Sequence, residues 1–137
     1  MNQQRTGGIL VTGGAGYIGS HVVLQLVEAG ERVVVLDDLS TGFRDAVGGV
    51  DLIVGNVGDQ SLVAKVLRDH GIDTVIHFAA RTIVPESVVD PLRYYGNNTC
   101  ATRNLLACCK DAGVERIVFS SSAAVYGIPP GDRKSVV

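Results

Sequence analysis

Residues 8–21 read GILVTGGAGYIGSH. A short apolar run, Gly8 to Thr12, opens directly into Gly13, Gly16 and Gly19, spaced G-x-x-G-x-x-G. The usual dinucleotide-binding fingerprint sets its first two glycines closer together than this. A first glycine at such a place lets the chain turn sharply from strand into helix. A second brings bare backbone close to a pyrophosphate, and a third lets the helix pack on the sheet. Phosphate then meets the positive end of the helix and its unpaired N–H groups. Glycines also serve plain close packing. This set, however, follows a strand-like run, opens a helix-like one and has a carboxylate at the end of the next apolar run, which favours a dinucleotide site.

That carboxylate is Asp37, eighteen residues past Gly19. It is placed to accept hydrogen bonds from both adenosine ribose hydroxyls, and it would repel a 2′-phosphate. Asp38 adds a second negative charge, so NAD is the expected cofactor rather than NADP. Arg44, in the same loop, is the feature that would serve NADP. The plainer reading of Asp38 is a solvated loop residue.

Working outward, short β-branched runs alternate with longer amphipathic ones. The runs are Gly8–Thr12, Arg32–Asp37, Asp51–Gly55, Thr74–Phe78 and Arg116–Ser120, nearly continuous in hydrophobicity, as strands buried on both faces are. Helices are predicted over Tyr17–Ala29, Ser61–His70 and Pro91–Ala112, closed by Gly30, Gly71 and Gly113. Asp59 and Asp90 stand where N-caps would, and Pro91 suits a first helical position. Asp38 to Val50 reads as an irregular loop. Strand, helix, strand repeated in this way implies right-handed crossovers. The expected fold is α/β, an open doubly wound parallel sheet of order 3-2-1-4-5, in one domain over residues 1–137.

Composition narrows the function. A chain of 137 residues buries about two thirds of its unfolded surface, and 46% hydrophobic against 19% charged residues argues for a packed core. A net charge of -2 gives no reason to expect a nucleic acid or an anionic membrane as partner. The N-terminus lacks the pattern of a secretory signal or membrane span. Cys100, Cys108 and Cys109 suggest neither disulfides nor a metal site, and fit buried thiols in a reducing cytosol, so a cytoplasmic protein is expected. His21, His70 and His77 lack ligand spacing and are read as structural.

With Gly13, Gly16, Gly19, Asp37, HFAA at His77–Ala80 and SSSAAVYG at Ser120–Gly127, the sequence resembles the extended short-chain dehydrogenase/reductase family, whose Rossmann-like fold binds NAD. Within it the likeness is to the UDP-glucose 4-epimerases, through VTGGAGYIGSH, LDDLSTG, VIHFAA, ESV, the run from Pro91 to Asn98 and SSSAAVYG, in that order. The resemblance implies that Tyr17 and Ile18 put backbone against the pyrophosphate. Asp37, Asp38, Leu39, Ser40, Thr41 and Gly42 would surround the adenosine ribose, and Asn56 and Val57 would flank the adenine. Phe78, Ala79, Ala80, Arg81 and Thr82 would pass beneath the nicotinamide half, and Asn97 would contact the cofactor from the long helix. Ser122 matches the catalytic serine, which hydrogen-bonds the reacting sugar oxygen. The implied partners are a UDP-sugar, UDP-glucose or UDP-galactose, and a second copy of the chain in a homodimer. No metal is implied.

Several positions depart from that pattern. Asn56 stands where the family usually has an aspartate accepting from the adenine amino group; an amide oxygen does this more weakly, without charge assistance. Thr82 stands where some epimerases place a cofactor-contacting lysine, with Arg81 beside it as a substitute. Ala101 replaces a common helix glycine, harmlessly for propensity. The family's base, a tyrosine followed four residues later by a lysine that lowers its pKa, has no counterpart: Tyr17, Tyr94, Tyr95 and Tyr126 are followed at that distance by His21, Asn98, Thr99 and Pro130. The expectation is therefore an N-terminal portion, truncated after about five strands, with a cofactor site and half of a catalytic apparatus. Its partly exposed last strand predicts self-association. A domain that holds NAD without turnover is the alternative. Sugar-nucleotide dehydratases are disfavoured, because they usually place Thr-Asp-Glu where Ser121, Ser122 and Ala123 stand.

Overall fold

The computed structural model describes residues 7–122 together with Val125 and Gly127. Residues 1–6, and with them part of the stretch read for a leader, lie outside these, as do Ala123, Ala124 and Tyr126 of the serine motif and the closing residues 128–137.

Five strands form one parallel sheet: β1 (Gly8–Thr12), β2 (Val33–Asp37), β3 (Asp51–Val54), β4 (Ile72–His77) and β5 (Arg116–Phe119). Their order is β3-β2-β1-β4-β5, as the alternation of patterns predicts. The order reverses at β1, so the loops after β1 and β4 diverge to opposite sides and leave a crevice at the carboxyl ends of the strands. Ligands of open α/β sheets bind there.

Two apolar layers hold the sheet. On one face Leu10, Val34, Leu36 and Val75 pack with Val63, Val66, Leu67 and Leu105 of the helices α2 (Gln60–Asp69) and α5 (Ala101–Ala112). On the other, Ile9, Val11, Val33 and Val35 pack with Val23 of α1 (Tyr17–Glu28). The alternation Ile9, Leu10, Val11 thus sends neighbouring side chains to opposite layers, which explains why β1 reads as an unbroken apolar run. Each fully buried Val, Leu or Ile contributes roughly 1.5–3 kcal/mol relative to exposure.

Burial on both faces holds for β1 and β2 but not for every strand. In β3 only Leu52 and Ile53 are partly covered, and all four residues of β5 are exposed. The two lie at the ends of the sheet order, where one neighbour is missing; apolar composition alone does not distinguish an edge strand from a central one.

Asp59 and Asp90 cap as expected, each accepting a hydrogen bond at 3.1 Å, from the N–H of Leu62 and of Arg93. The three helix-closing glycines have positive φ, 79° at Gly30, 54° at Gly71 and 72° at Gly113. Elsewhere the structure departs from the predicted elements. The loop after β2 contains a 3-10 turn, Arg44–Val47, whose Val47 is buried. An unpredicted helix, α3 (Val84–Val89), precedes the long helix. That helix is itself divided into a first turn, α4 (Pro91–Tyr94), a π-helical segment (Tyr95–Cys100) and α5.

Candidate functional site

The glycine turn is built by close approach. Gly13 has φ 70°, and a Cβ there would lie 2.6 Å from the Ala79 nitrogen, so only glycine lets the turn rest on the segment after β4. A Cβ on Gly19 would lie 2.2 Å from the Gly13 carbonyl oxygen. On Gly16 it would meet only that same oxygen, at 3.4 Å, so this residue presents open backbone. Helix α1 begins there with no side-chain cap and no acidic residue in its first turn, and Tyr17 and Ile18 are exposed. A bare, uncharged helix start fits an anionic group, because its first N–H groups and its dipole are left uncompensated.

Asp37 is buried and ties this turn to the end of β2. Its Oδ2 accepts from the Ala15 N–H and its Oδ1 from the Leu39 N–H, both at 2.9 Å. The carboxylate expected to meet ribose is therefore also a brace, with only its remaining lone pairs left for a ligand. The following loop is drawn in as well: the Phe43 N–H donates to the Ala15 carbonyl, and a Cβ on Gly42 would collide with Ala15. Leu39 takes φ 57° while its side chain packs against the α1 layer, a conformation uncommon for a leucine.

Two clefts open beside these loops. The larger, about 490 Å³, is lined by Asp38, Asn56, Arg81, Asn97, Cys100 and Asn104, among others. The smaller, about 60 Å³, is lined by Ser40, Thr41, Ala80, Arg81, Thr82, Ile83 and Tyr94. Arg81 lines both. Of the expected site residues, Asp38, Asn56, Arg81 and Asn97 thus line the larger cleft, and Ser40, Thr41, Ala80, Arg81 and Thr82 the smaller. Val57 does not share it: its side chain is buried with the α2 and α5 layer. Phe78 and Ala79 pack against opposite apolar layers and offer mainly backbone.

Asn56 is more committed than its sequence position suggests. Its Oδ1 accepts from the Gly58 N–H at 2.7 Å, so the group it turns outward is its amide NH2. Ser122 is exposed just past the C-terminal end of β5, and its carbonyl accepts from the Val125 N–H. It lies at the carboxyl end of the sheet but lines neither cleft.

Sequence reasoning missed two contributors, Asn98 and Asn104, and the partners of a third residue. His77, read as structural, is so placed, and its partners are what the sequence did not show: Nδ1 lies 2.6 Å from Thr12 Oγ1 and Nε2 2.9 Å from Thr102 Oγ1. Burial holds its pKa below the usual value. A neutral ring has one donor and one acceptor nitrogen, and either hydroxyl can match either role. Asn98 pairs with both backbone groups of Arg81, and Asn104 Nδ2 donates to the Gly58 carbonyl. The N-N repeat at 97–98 was the available signal for Asn98; nothing local marked Asn104.

Tyr94 donates its hydroxyl to Glu86 Oε2 at 2.9 Å, and burial together with that bond holds its pKa above the ordinary value. Cys108 and Cys109 are buried, and burial pushes the Cys109 thiol up to about 11, as suits unreactive core residues. Among the described residues no group of His, Cys, Asp and Glu could hold a metal, and no helix is long and apolar enough to cross a membrane.

Residues 9–136 match the NAD dependent epimerase/dehydratase family. The chain belongs to that family. It is 54% identical over 122 residues to a UDP-glucose 4-epimerase of Azospirillum brasilense, a match covering 88% of this chain and 35% of that one. It is 44% identical over 130 residues to a UDP-glucose 4-epimerase of Klebsiella pneumoniae, covering 89% of this chain and 94% of that one. Among solved structures, UDP-glucose 4-epimerase from Brucella ovis in complex with NAD superimposes with a TM-score of 0.85 at 42% identity, over 92% of this chain and 39% of that chain. The Bifidobacterium longum enzyme in complex with NAD+ and UDP gives 0.81 at 38% identity, over 90% and 39%. The chain therefore spans a little over a third of the length of most of these relatives. The Rossmann-like fold and the NAD dependence expected from the sequence are those of this family.

Proposed function

We propose that the chain forms the NAD site of a UDP-glucose 4-epimerase, and that the crevice at the carboxyl ends of β1, β2 and β4 is where the dinucleotide lies. The observation that carries this reading is the glycine turn. Its backbone is bare at Gly16, its helix start is uncapped, and Asp37 braces it from the adjoining strand.

In this reading the first turn of α1 takes the pyrophosphate, and Asp37 with Asp38 through Gly42 takes the adenosine ribose. The negative charge of Asp37 and Asp38 favours NAD over NADP. Asn56 reaches the adenine by its NH2 group. The segment Phe78–Thr82 serves the nicotinamide half, and Asn97 contacts the cofactor from the long helix, in the cleft it shares with Asp38 and Asn56. Bound NAD supplies a reversible acceptor for the hydride at C4 of a UDP-hexose. Ser122 orients the C4 oxygen and stabilises charge on it, which needs a hydroxyl and no nucleophile. A base must still take the C4 hydroxyl proton, and no described tyrosine has a lysine four residues on. General base catalysis contributes roughly 10²–10⁴-fold, so slow or no conversion of UDP-galactose by this chain is expected, as a single domain over residues 1–137 that binds cofactor.

A titration calorimeter and a coupled UDP-galactose assay test the two halves of the reading. Folded chain that ignores millimolar NAD overturns the cofactor site. Turnover at an ordinary epimerase rate overturns the expectation of a missing base, and with it the binding-only alternative.

A further inference from the structure

Gly58 lies between two asparagines, and each of them holds one of its backbone groups. Asn56 Oδ1 accepts from the Gly58 N–H at 2.7 Å, and Asn104 Nδ2, from helix α5, donates to the Gly58 carbonyl at 3.0 Å. The loop after β3 and the helix meet closely here: a Cβ on Gly58 would lie 3.2 Å from the Ala101 Cβ. Asn56, Gly58 and Asn104 all line the larger cleft.

A backbone N–H only donates and a backbone carbonyl only accepts, so neither side-chain amide can be turned round without losing its partner. Asn56 is left with its NH2 group. Asn104 is left with Oδ1, which has no other hydrogen bond among the described residues. Two side chains tied to one glycine thus offer the cleft a donor and an acceptor. The NH2 of Asn56 cannot receive a hydrogen bond, whereas Asn104 Oδ1 can. Asn97 Oδ1 is a further acceptor on the cleft wall, but it stands seven residues before Asn104, about 10 Å along the helix. Its amide is held only by another side chain, Asn98, and it has no tie to Asn56.

We propose that Asn104 determines which base the cleft takes: its Oδ1 accepts from the exocyclic amino group of adenine, the part that the outward NH2 of Asn56 leaves unfilled. This rests on the reading above that places the adenosine half of the cofactor beside Asp38 and Asn56. Hypoxanthine carries a carbonyl oxygen where adenine carries that amino group, so with the ribose held in place it sets acceptor against acceptor. A site that hydrogen-bonds an N–H rejects the analogue lacking it, because its own polar group is then left unpaired.

Calorimetric titration with ADP and with inosine diphosphate tests this, since the two ligands differ in the base alone. Wild-type chain is expected to bind ADP tighter on the order of tenfold. In Asn104→Leu, which fills similar space without the acceptor, ADP weakens and inosine diphosphate does not, so the two affinities come to within about twofold of each other. Asn104→Asp loses the bond to the Gly58 carbonyl but keeps an acceptor, so the preference for ADP persists; it carries the test if Asn104→Leu does not fold. A merely structural tie between α5 and the loop would weaken both ligands alike and leave their ratio unchanged in Asn104→Leu, which overturns the proposal. So does a wild-type chain that binds both ligands equally, or a preference lost in folded Asn104→Asp. Folded wild-type chain that binds neither ligand overturns the placement of the adenosine half instead, and this inference with it.

Discussion

At the scale of single residues the crevice is held by side chains that each do two things. Asp37 and Asn56 both accept a backbone N–H before any ligand arrives. For Asn56 this has a measurable consequence. In Asn56→Asp a carboxylate could keep the Gly58 N–H and still accept from an amino group with charge assistance. We expect NAD affinity to rise several-fold; calorimetry showing equal or weaker binding contradicts the outward-facing NH2. His77 makes a second prediction. Its pKa is lowered in the fold, so the unfolded chain takes up the proton first as pH falls. Its neutral form supports the fold fully above about pH 6.5, and the support declines below that by at most about 1.4 kcal/mol per pH unit. Melting temperatures of the wild type and His77→Asn, followed from pH 8 to 5, should diverge least at the acid end. Parallel curves would show that His77 carries no linkage.

At the scale of elements, local signals and tertiary ones divide cleanly. Asp59 caps α2 through its own carboxylate and the Leu62 N–H, an interaction within one turn. Its replacement by alanine is expected to cost about 1 kcal/mol, read from urea denaturation, with an unchanged midpoint as the contrary result. Such caps were legible because they need only sequence spacing. The π segment was not. Pro91 to Ala112 has helical periodicity throughout, and the widened turn at Tyr95–Cys100 carries Asn98, whose partner Arg81 lies 17 residues away. Helix α3 went unseen for want of length. It is only six residues long, too short for a helical period to stand out, and its Val84, Val88 and Val89 are exposed.

At the scale of the molecule, the sheet presents unequal edges. Ile117, Val118 and Phe119 of β5 are 41%, 55% and 60% exposed, and among the described residues β5 pairs with β4 alone. An exposed apolar strand with one unpaired side is a template for association. Sizing chromatography should show concentration-dependent oligomers, reduced in Val118→Lys; a monomer at all concentrations would contradict this. A homodimer is one such outcome.

Strand order, the glycine turn, the caps and the choice of NAD were determined by the sequence itself, because each follows from periodicity, backbone freedom or charge within a short stretch. Only the tertiary structure decided that Val57 faces the core and that His77, Asn98 and Asn104 bridge separate elements. Those facts depend on residues 17 to 65 positions apart meeting in space, and hydrogen-bond partners at that separation leave no trace in local pattern.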